Sequence, residues 1–132
     1  MRFPAFLPAL ILITPLAAQR DWHAPQVQST PVESARFQIL QSELVLRSTY
    51  RLDRWRGDVW ELILQDDGRF SWRAVERLPH TVPDTRVEGR PNYQMFLSGL
   101  ANSFTFLLNT NTGATWQMEV AADGSLVFSP ID

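Results

Sequence analysis

The residues of this chain best suited to chemistry gather around one turn. Trp55 stands between Arg54 and Arg56, an indole flanked by two guanidinium groups. A Trp exposed beside Arg can stack on a sugar ring or an aromatic partner, and planar guanidinium groups bind anions bidentately. Strand alternation turns Arg51 and Arg73 outward and extends the cationic surface. The sequence therefore predicts one binding face made of Trp55, Arg54, Arg56, Arg51 and Arg73, with a protein or an envelope glycan as its partner. The competing expectation is a solvated face whose arginines pair across strands with Glu61 and Asp58.

Groups for catalysis are sparse. His23 and His80 lie far apart without metal-ligand spacing, and there is no Cys, so neither a metal nor a cofactor is expected. Ser occurs in no nucleophile-elbow context, and no Gly-rich phosphate loop is present. Asp66, Asp67 and Asp123 belong to turns, which accounts for them without acid-base chemistry. A paired-carboxylate hydrolase with its site between the two halves of the chain is the alternative, because spatial neighbours are not legible in a sequence. Without Arg2, 11 basic residues stand against 14 acidic ones, a net charge of −3 that calls for neither nucleic acid nor an anionic membrane.

The elements that must position these residues are written twice. A shift of 56 positions pairs Arg36 through Trp72 with Asn92 through Phe128 without a gap. Identical pairs are Gln38/Gln94, Ser42/Ser98, Leu44/Leu100, Thr49/Thr105, Leu52/Leu108, Gly57/Gly113, Trp60/Trp116, Asp67/Asp123 and Gly68/Gly124. Composition alone would give roughly two such matches, so the chain carries an internal duplication.

Each copy spells four short strands of period two. In the first they run about 37–41, 47–53, 58–64 and 69–75. The alternation marks Phe37, Ile39, Tyr50, Leu52, Trp60, Leu62, Leu64, Phe70, Trp72 and Ala74 for the covered face, and their counterparts in the second copy include Tyr93, Met95, Phe106, Leu108, Trp116, Met118 and Phe128. Trp60 and Trp116 are expected as equivalent core residues. Asp67-Gly68 and Asp123-Gly124 are hairpin signals, and the longer turns Asp53 to Gly57 and Asn109 to Gly113 begin with a side-chain acceptor and end with a glycine suited to positive φ.

These strings carry a resemblance. Arg36-Phe37-Gln38 with Leu52-Asp53 through Gly57 to Trp60, and Asn92-Tyr93-Gln94 with Leu108-Asn109 through Gly113 to Trp116, resemble a pattern of small exported bacterial proteins of unknown function: Arg-Tyr-Gln, then Leu-Leu-Asp-Thr-x-Thr-Gly-x-x-Trp. The resemblance spans both copies and implies no established activity. The strings are also similar to the blade motif of quinoprotein-type propellers, although the Gly-to-Trp interval is three rather than four and two blades do not close a ring.

Residues 1–18 read as a secretory signal peptide: Arg2, then an apolar run broken by prolines, then Leu16-Ala17-Ala18 as a small-residue cleavage site. The run is too short for the ~20 residues that span a bilayer. The expected organisation is thus a signal at 1–18, a flexible leader at 19–35, and one all-β domain at 36–132, built of a first copy (36–77), a Pro-rich linker (78–91) and a second copy (92–132). Two tandem four-stranded antiparallel meanders related by a pseudo-twofold should form a sandwich or an eight-stranded barrel. The copies differ most in charge: 36–77 holds eight Arg and seven acids, whereas 92–132 has three acids and no base. Leu107, Phe96 and Val127, if exposed together, suit a homodimer contact. The function expected is an exported, non-catalytic binding module in the periplasm or outside the cell; the alternative is the small secreted hydrolase.

Overall fold

Runs in which β-branched, aromatic and other apolar residues alternate with polar ones, interrupted by Asp67-Gly68, Asp123-Gly124 and the turns from Asp53 to Gly57 and from Asn109 to Gly113, leave the chain little choice but strands. A computed structural model describes residues 32–42, 48–98 and 101–132. The signal segment, most of the leader with His23, and Arg47 lie outside these residues. Eight strands form: β1 (Phe37–Gln41), β2 (Thr49–Asp53), β3 (Val59–Leu64), β4 (Phe70–Arg77), β5 (Tyr93–Phe96), β6 (Phe106–Asn109), β7 (Thr115–Val120) and β8 (Leu126–Ile131). One turn of 3-10 helix at Asn102–Phe104 precedes β6, and the described residues include no helix long and apolar enough to cross a membrane.

The protein is all-β, as the sequence leads one to expect. Its strands make one mixed sheet in the order β1-β2-β3-β4-β8-β7-β6-β5, curled into a half-barrel. Every pairing is antiparallel except β4 with β8, where Glu76 lies opposite Val127 and Arg77 opposite Phe128. That parallel seam joins the halves into one continuous sheet instead of the two sheets of a sandwich. Among the described residues β1 and β5 end the order, so the sheet stops short of a closed barrel.

The core fills the concave side. Tyr50, Leu52, Val59 and Val75 from β2 to β4 meet Tyr93, Met95, Leu107, Trp116, Met118, Leu126 and Phe128 from β5 to β8. The Tyr50 hydroxyl reaches the Met118 sulfur at 3.6 Å across this interior.

The register corrects the expected faces. Leu52 lies opposite Val59 and Arg51 opposite Trp60, so an even-numbered residue of β2 shares its face with odd-numbered residues of β3. Parity carried through the turn without this switch puts Trp60 in the core; the register puts it, with Leu62 and Leu64, on the convex side. Ile39 pairs with Arg51 and Trp72 with Leu62, which turns Phe37, Ile39, Phe70 and Trp72 outward as well. In the second half Leu107 faces inward and is fully buried, while Phe106 and Leu108 face out. A contact made jointly by Leu107, Phe96 and Val127 is therefore not available, since Leu107 belongs to the core.

The turns are built as their residues dictate. The Asp53 carboxylate accepts the amides of Trp55 (3.0 Å) and Arg56 (3.2 Å), and the Asn109 side-chain oxygen Oδ1 accepts those of Asn111 (2.9 Å) and Thr112 (3.3 Å). Gly57 closes its turn at φ 77° and lies under the Tyr93 ring: a Cβ there would come within 2.7 Å of two ring carbons and 2.6 Å of the Arg77 guanidinium.

The linker contains no regular element and packs over the seam instead. Asp84 pairs with Arg77 (3.2 Å), accepts the Tyr93 hydroxyl, and accepts the Asn109 amide at 2.9 Å. Trp116 donates its indole N–H to the Leu78 carbonyl at 2.8 Å.

Substitution at two glycines separates backbone strain from packing. Gly68 also has positive φ but open space around it, so Gly68→Ala should cost only the strain of about 1–2 kcal/mol. Gly57→Ala adds displacement of Tyr93 and Arg77, and its loss of stability in urea unfolding should clearly exceed that of Gly68→Ala.

Candidate functional site

A face of a sheet left in water is normally polar, because apolar side chains there gain nothing from the core. The convex face of β1–β4 departs from this. Ile39 is 61% exposed, Leu64 64%, Phe70 69% and Phe37 51%, with Trp60, Leu62 and Trp72 half-buried among them. Together they make a contiguous apolar surface of the kind that marks an interaction site.

Arg51 lies in the middle of this surface. Its guanidinium carbon is 4.4 Å from the Trp60 ring centre and 4.9 Å from that of Trp72. Arg51 sits directly opposite Trp60 on β3, and Ala74, small and opposite Trp60 on β4, leaves the side chain room to reach Trp72. Such a cation over an aromatic face gains about 0.5–2 kcal/mol, more as water is excluded. The Arg51 Nε is buried with no hydrogen-bond partner among the described residues. An unsatisfied buried donor costs about 1–3 kcal/mol, so the site holds a polar group without the acceptor it needs. Two indoles, a cation with an unused donor and an apolar rim are chemically equipped for recognition.

The other residues expected at the site fall in three places. Arg54 is half-buried and donates to the carbonyls of Val32 (3.2 Å), Glu33 (3.2 Å) and Ala35 (3.1 Å), tying down the end of the leader. Trp55 is half-buried at the junction of the halves: its carbonyl accepts the Asn92 side-chain amide at 3.1 Å, and Arg36 lies 5.6 Å over its ring. Arg36 also covers Phe37 at 5.0 Å, so Trp55 borders one end of the convex face. Arg56 is exposed, and its carbonyl accepts from Arg77 at 3.4 Å. Arg73 lies opposite Glu61 and pairs with it at 2.6 Å, on the face opposite to Arg51. The turn keeps Arg54, Trp55 and Arg56 together; Arg51 and Arg73 point to opposite sides of the sheet.

Residues that the sequence reading assigned to the covered face, Phe37, Ile39, Phe70, and Trp60 and Trp72 as ring partners of Arg51, complete the site together with Arg36. The signal that finds them is the odd register across the turn from β2 to β3, which moves an entire hydrophobic set to the other face. A second concavity, a shallow groove of about 710 Å³, runs between Gln38 and Arg54 on one side and Arg90 and Gln94 on the other. Glu33 is the one acid among its lining residues. No group of three His, Cys, Asp or Glu among the described residues is placed to hold a metal ion.

Compared with known proteins, the chain matches no family model, no curated protein and no solved structure.

Electrostatics anchors the edge of the site. Burial alone would push the Asp53 carboxyl up, but the Arg36 guanidinium, at 2.8 and 3.0 Å, and the amides of Trp55 and Arg56 outweigh it and hold Asp53 below the usual carboxylate range. A depressed pKa stabilises the fold above the unfolded value and is lost as pH falls through the folded one. The melting temperature should therefore fall as pH drops below about 4. Asn109 shows that an amide can cap the same turn. Asp53→Asn should thus keep the turn, lower the melting temperature at neutral pH and flatten the acid limb, leaving the smaller slope due to Asp67 and Asp123, which are also held low by their hydrogen bonds.

Proposed function

We propose that this protein is an exported, non-catalytic binding module of the bacterial cell envelope, and that its contact surface is the convex face centred on Arg51, Trp60 and Trp72. The observation that carries the reading is the buried Nε of Arg51, unpartnered among the described residues, within an exposed aromatic surface. A solvated strand face needs no such surface, and leaving it uncovered forgoes the roughly 25 cal/mol gained per Å² of apolar area buried. The signal-like segment at 1–18 supports export to the periplasm or beyond, in keeping with the resemblance to small exported bacterial proteins. Trp55 and Arg36 extend the surface at one end; Arg54 supports it by holding the leader.

The hydrolase alternative gains little from the groove, where the single acid Glu33 has no second carboxylate beside it. Most other carboxylates near the junction already hold structure: Asp53 binds Arg36, Asp84 binds Arg77, and Glu61 binds Arg73.

The same reading takes the sheet as two four-stranded meanders in tandem, copies of one unit. The pseudo-twofold expected from the sequence would bring equivalent faces together. Trp116 lies in the core and its counterpart Trp60 on the convex side, so the copies meet through unlike faces, as in a head-to-tail step.

A photo-reactive analogue tests the contact surface without presupposing the partner. With Phe70 replaced by benzoylphenylalanine, the exported protein irradiated in intact cells should form a covalent adduct. The same analogue at Val82, in the exposed linker, should form none. Absence of an adduct at position 70, with the protein folded and exported, would remove the reading.

A further inference from the structure

The junction between the two halves has a repeat that the molecule does not use. Its second side includes Tyr93, Met95, Leu107, Trp116, Met118, Leu126 and Phe128. Moved back by 56 positions these become Phe37, Ile39, Arg51, Trp60, Leu62, Phe70 and Trp72, the convex face of β1–β4, with Arg51 the one departure from an apolar set. Its first side consists of Leu40, Tyr50, Leu52, Val59 and Val75. Moved forward these become Phe96, Phe106, Leu108, Thr115 and Ile131, which share the convex face of β5–β8, with Phe96 49% and Ile131 40% exposed. One chain thus displays counterparts of both packed faces of its junction on its two outer faces, although β4 and β8 are already paired to each other.

Contacts at the ends of the junction repeat the pattern. Within the chain, the Tyr93 ring lies on Gly57, and the Arg54 carbonyl accepts the amides of Asn92 and Tyr93 at 2.7 and 2.9 Å. The counterpart of Gly57 is Gly113, which has the same positive φ and nothing within 4 Å of where a Cβ would stand. The counterpart of Tyr93 is Phe37, half in solvent. The Phe37 ring is half exposed beside the Arg36 guanidinium, and among the described residues Gly113 has open space where a ring could lie. Charge also favours unlike faces. Arg51 is central to one, whereas the other carries Glu119, and residues 92–132 contain no base, so like-face pairing would oppose Arg51 to Arg51.

We propose that the convex face of β1–β4 docks onto the convex face of β5–β8 of a second copy of this chain, repeating between molecules the face-to-face packing of the junction but not its β4–β8 strand pairing, whose edges are already used. This rests on the reading of the convex face as a contact surface and names its partner. The contact is head-to-tail, so each copy offers one face of each kind and assembly continues until the rotation closes a ring. Phe37 of one copy then packs on Gly113 of the next.

Two single-face variants test this. Ile39 and Phe96 are both exposed, so Ile39→Glu and Phe96→Glu should leave the fold intact, as a thermal melt followed by circular dichroism checks; Phe70→Glu is a second variant of the first face. In sedimentation equilibrium at about 100 µM, a concentration that reveals micromolar contacts, the natural protein should have a mass several times that of one chain. Each variant alone should be monomeric, because each retains one face without its complement. Mixed, Ile39→Glu and Phe96→Glu should form a one-to-one pair through the two intact faces. The adduct formed by benzoylphenylalanine at position 70 should have the mass of two chains, with the link in β5–β8. A natural protein that stays monomeric overturns the proposal, as does a mixture that stays monomeric, or an oligomer broken by Ile39→Glu but not by Phe96→Glu, which would be a like-face dimer. An adduct to a different protein, or association of the monomer with phosphatidylethanolamine and phosphatidylglycerol vesicles through position 70, also overturns it while leaving the contact surface itself standing.

Discussion

The close approach of the Tyr93 ring to Gly57 governs how the two halves of this sheet meet. Only a residue without Cβ lets the ring come this close to that turn, and the turn's φ of 77° asks for the same residue. With Tyr93 in place, its hydroxyl finds Asp84, Asp84 finds Arg77 and Asn109, and the Pro-rich linker is drawn across the seam. Arg77 then lies over Tyr93 and Trp116, and the parallel contact of β4 with β8 follows. Packing of this kind fixes one face of each half as interior and leaves the other face of each half outside.

That consequence connects fold to function. Two halves of a sheet that each carry two apolar faces bury one face apiece when they meet and expose the rest. Here the exposed remainder on β1–β4 is an aromatic surface with a guanidinium between two indoles, and its donor lacks an acceptor among the described residues. The same physical fact, unlike faces meeting, explains why Trp116 is a core residue and Trp60 a surface one although the sequence treats them alike.

Much of the architecture was legible in the sequence. The strand positions follow from period-two alternation, and β1 at Phe37–Gln41 has the bounds that alternation predicts. The turn acceptors Asp53 and Asn109 and the positive-φ glycines 57, 68, 113 and 124 stand where turn chemistry places them. What the sequence hid was the pairing. A single odd register between β2 and β3 transfers Trp60, Leu62 and Leu64 to the other side, and period-two reasoning has no memory of parity across a turn. Arg51 and Arg73, both odd, looked like neighbours on one face; the register gives Arg51 to the convex side and Arg73 to Glu61 on the other. Trp55 drew attention for its neighbours in sequence, while the rings that hold Arg51 come from two other strands, a relation only pairing reveals.

The assignment of faces is the claim on which the rest stands, and hydroxyl-radical footprinting read residue by residue in the mass spectrometer tests it most directly. In dilute protein, Trp60 and Phe70 should be modified well before their sequence counterparts Trp116 and Leu126, and Phe37 before Tyr93. Equal protection of both members of these pairs, or modification of Trp116 ahead of Trp60, would contradict the account.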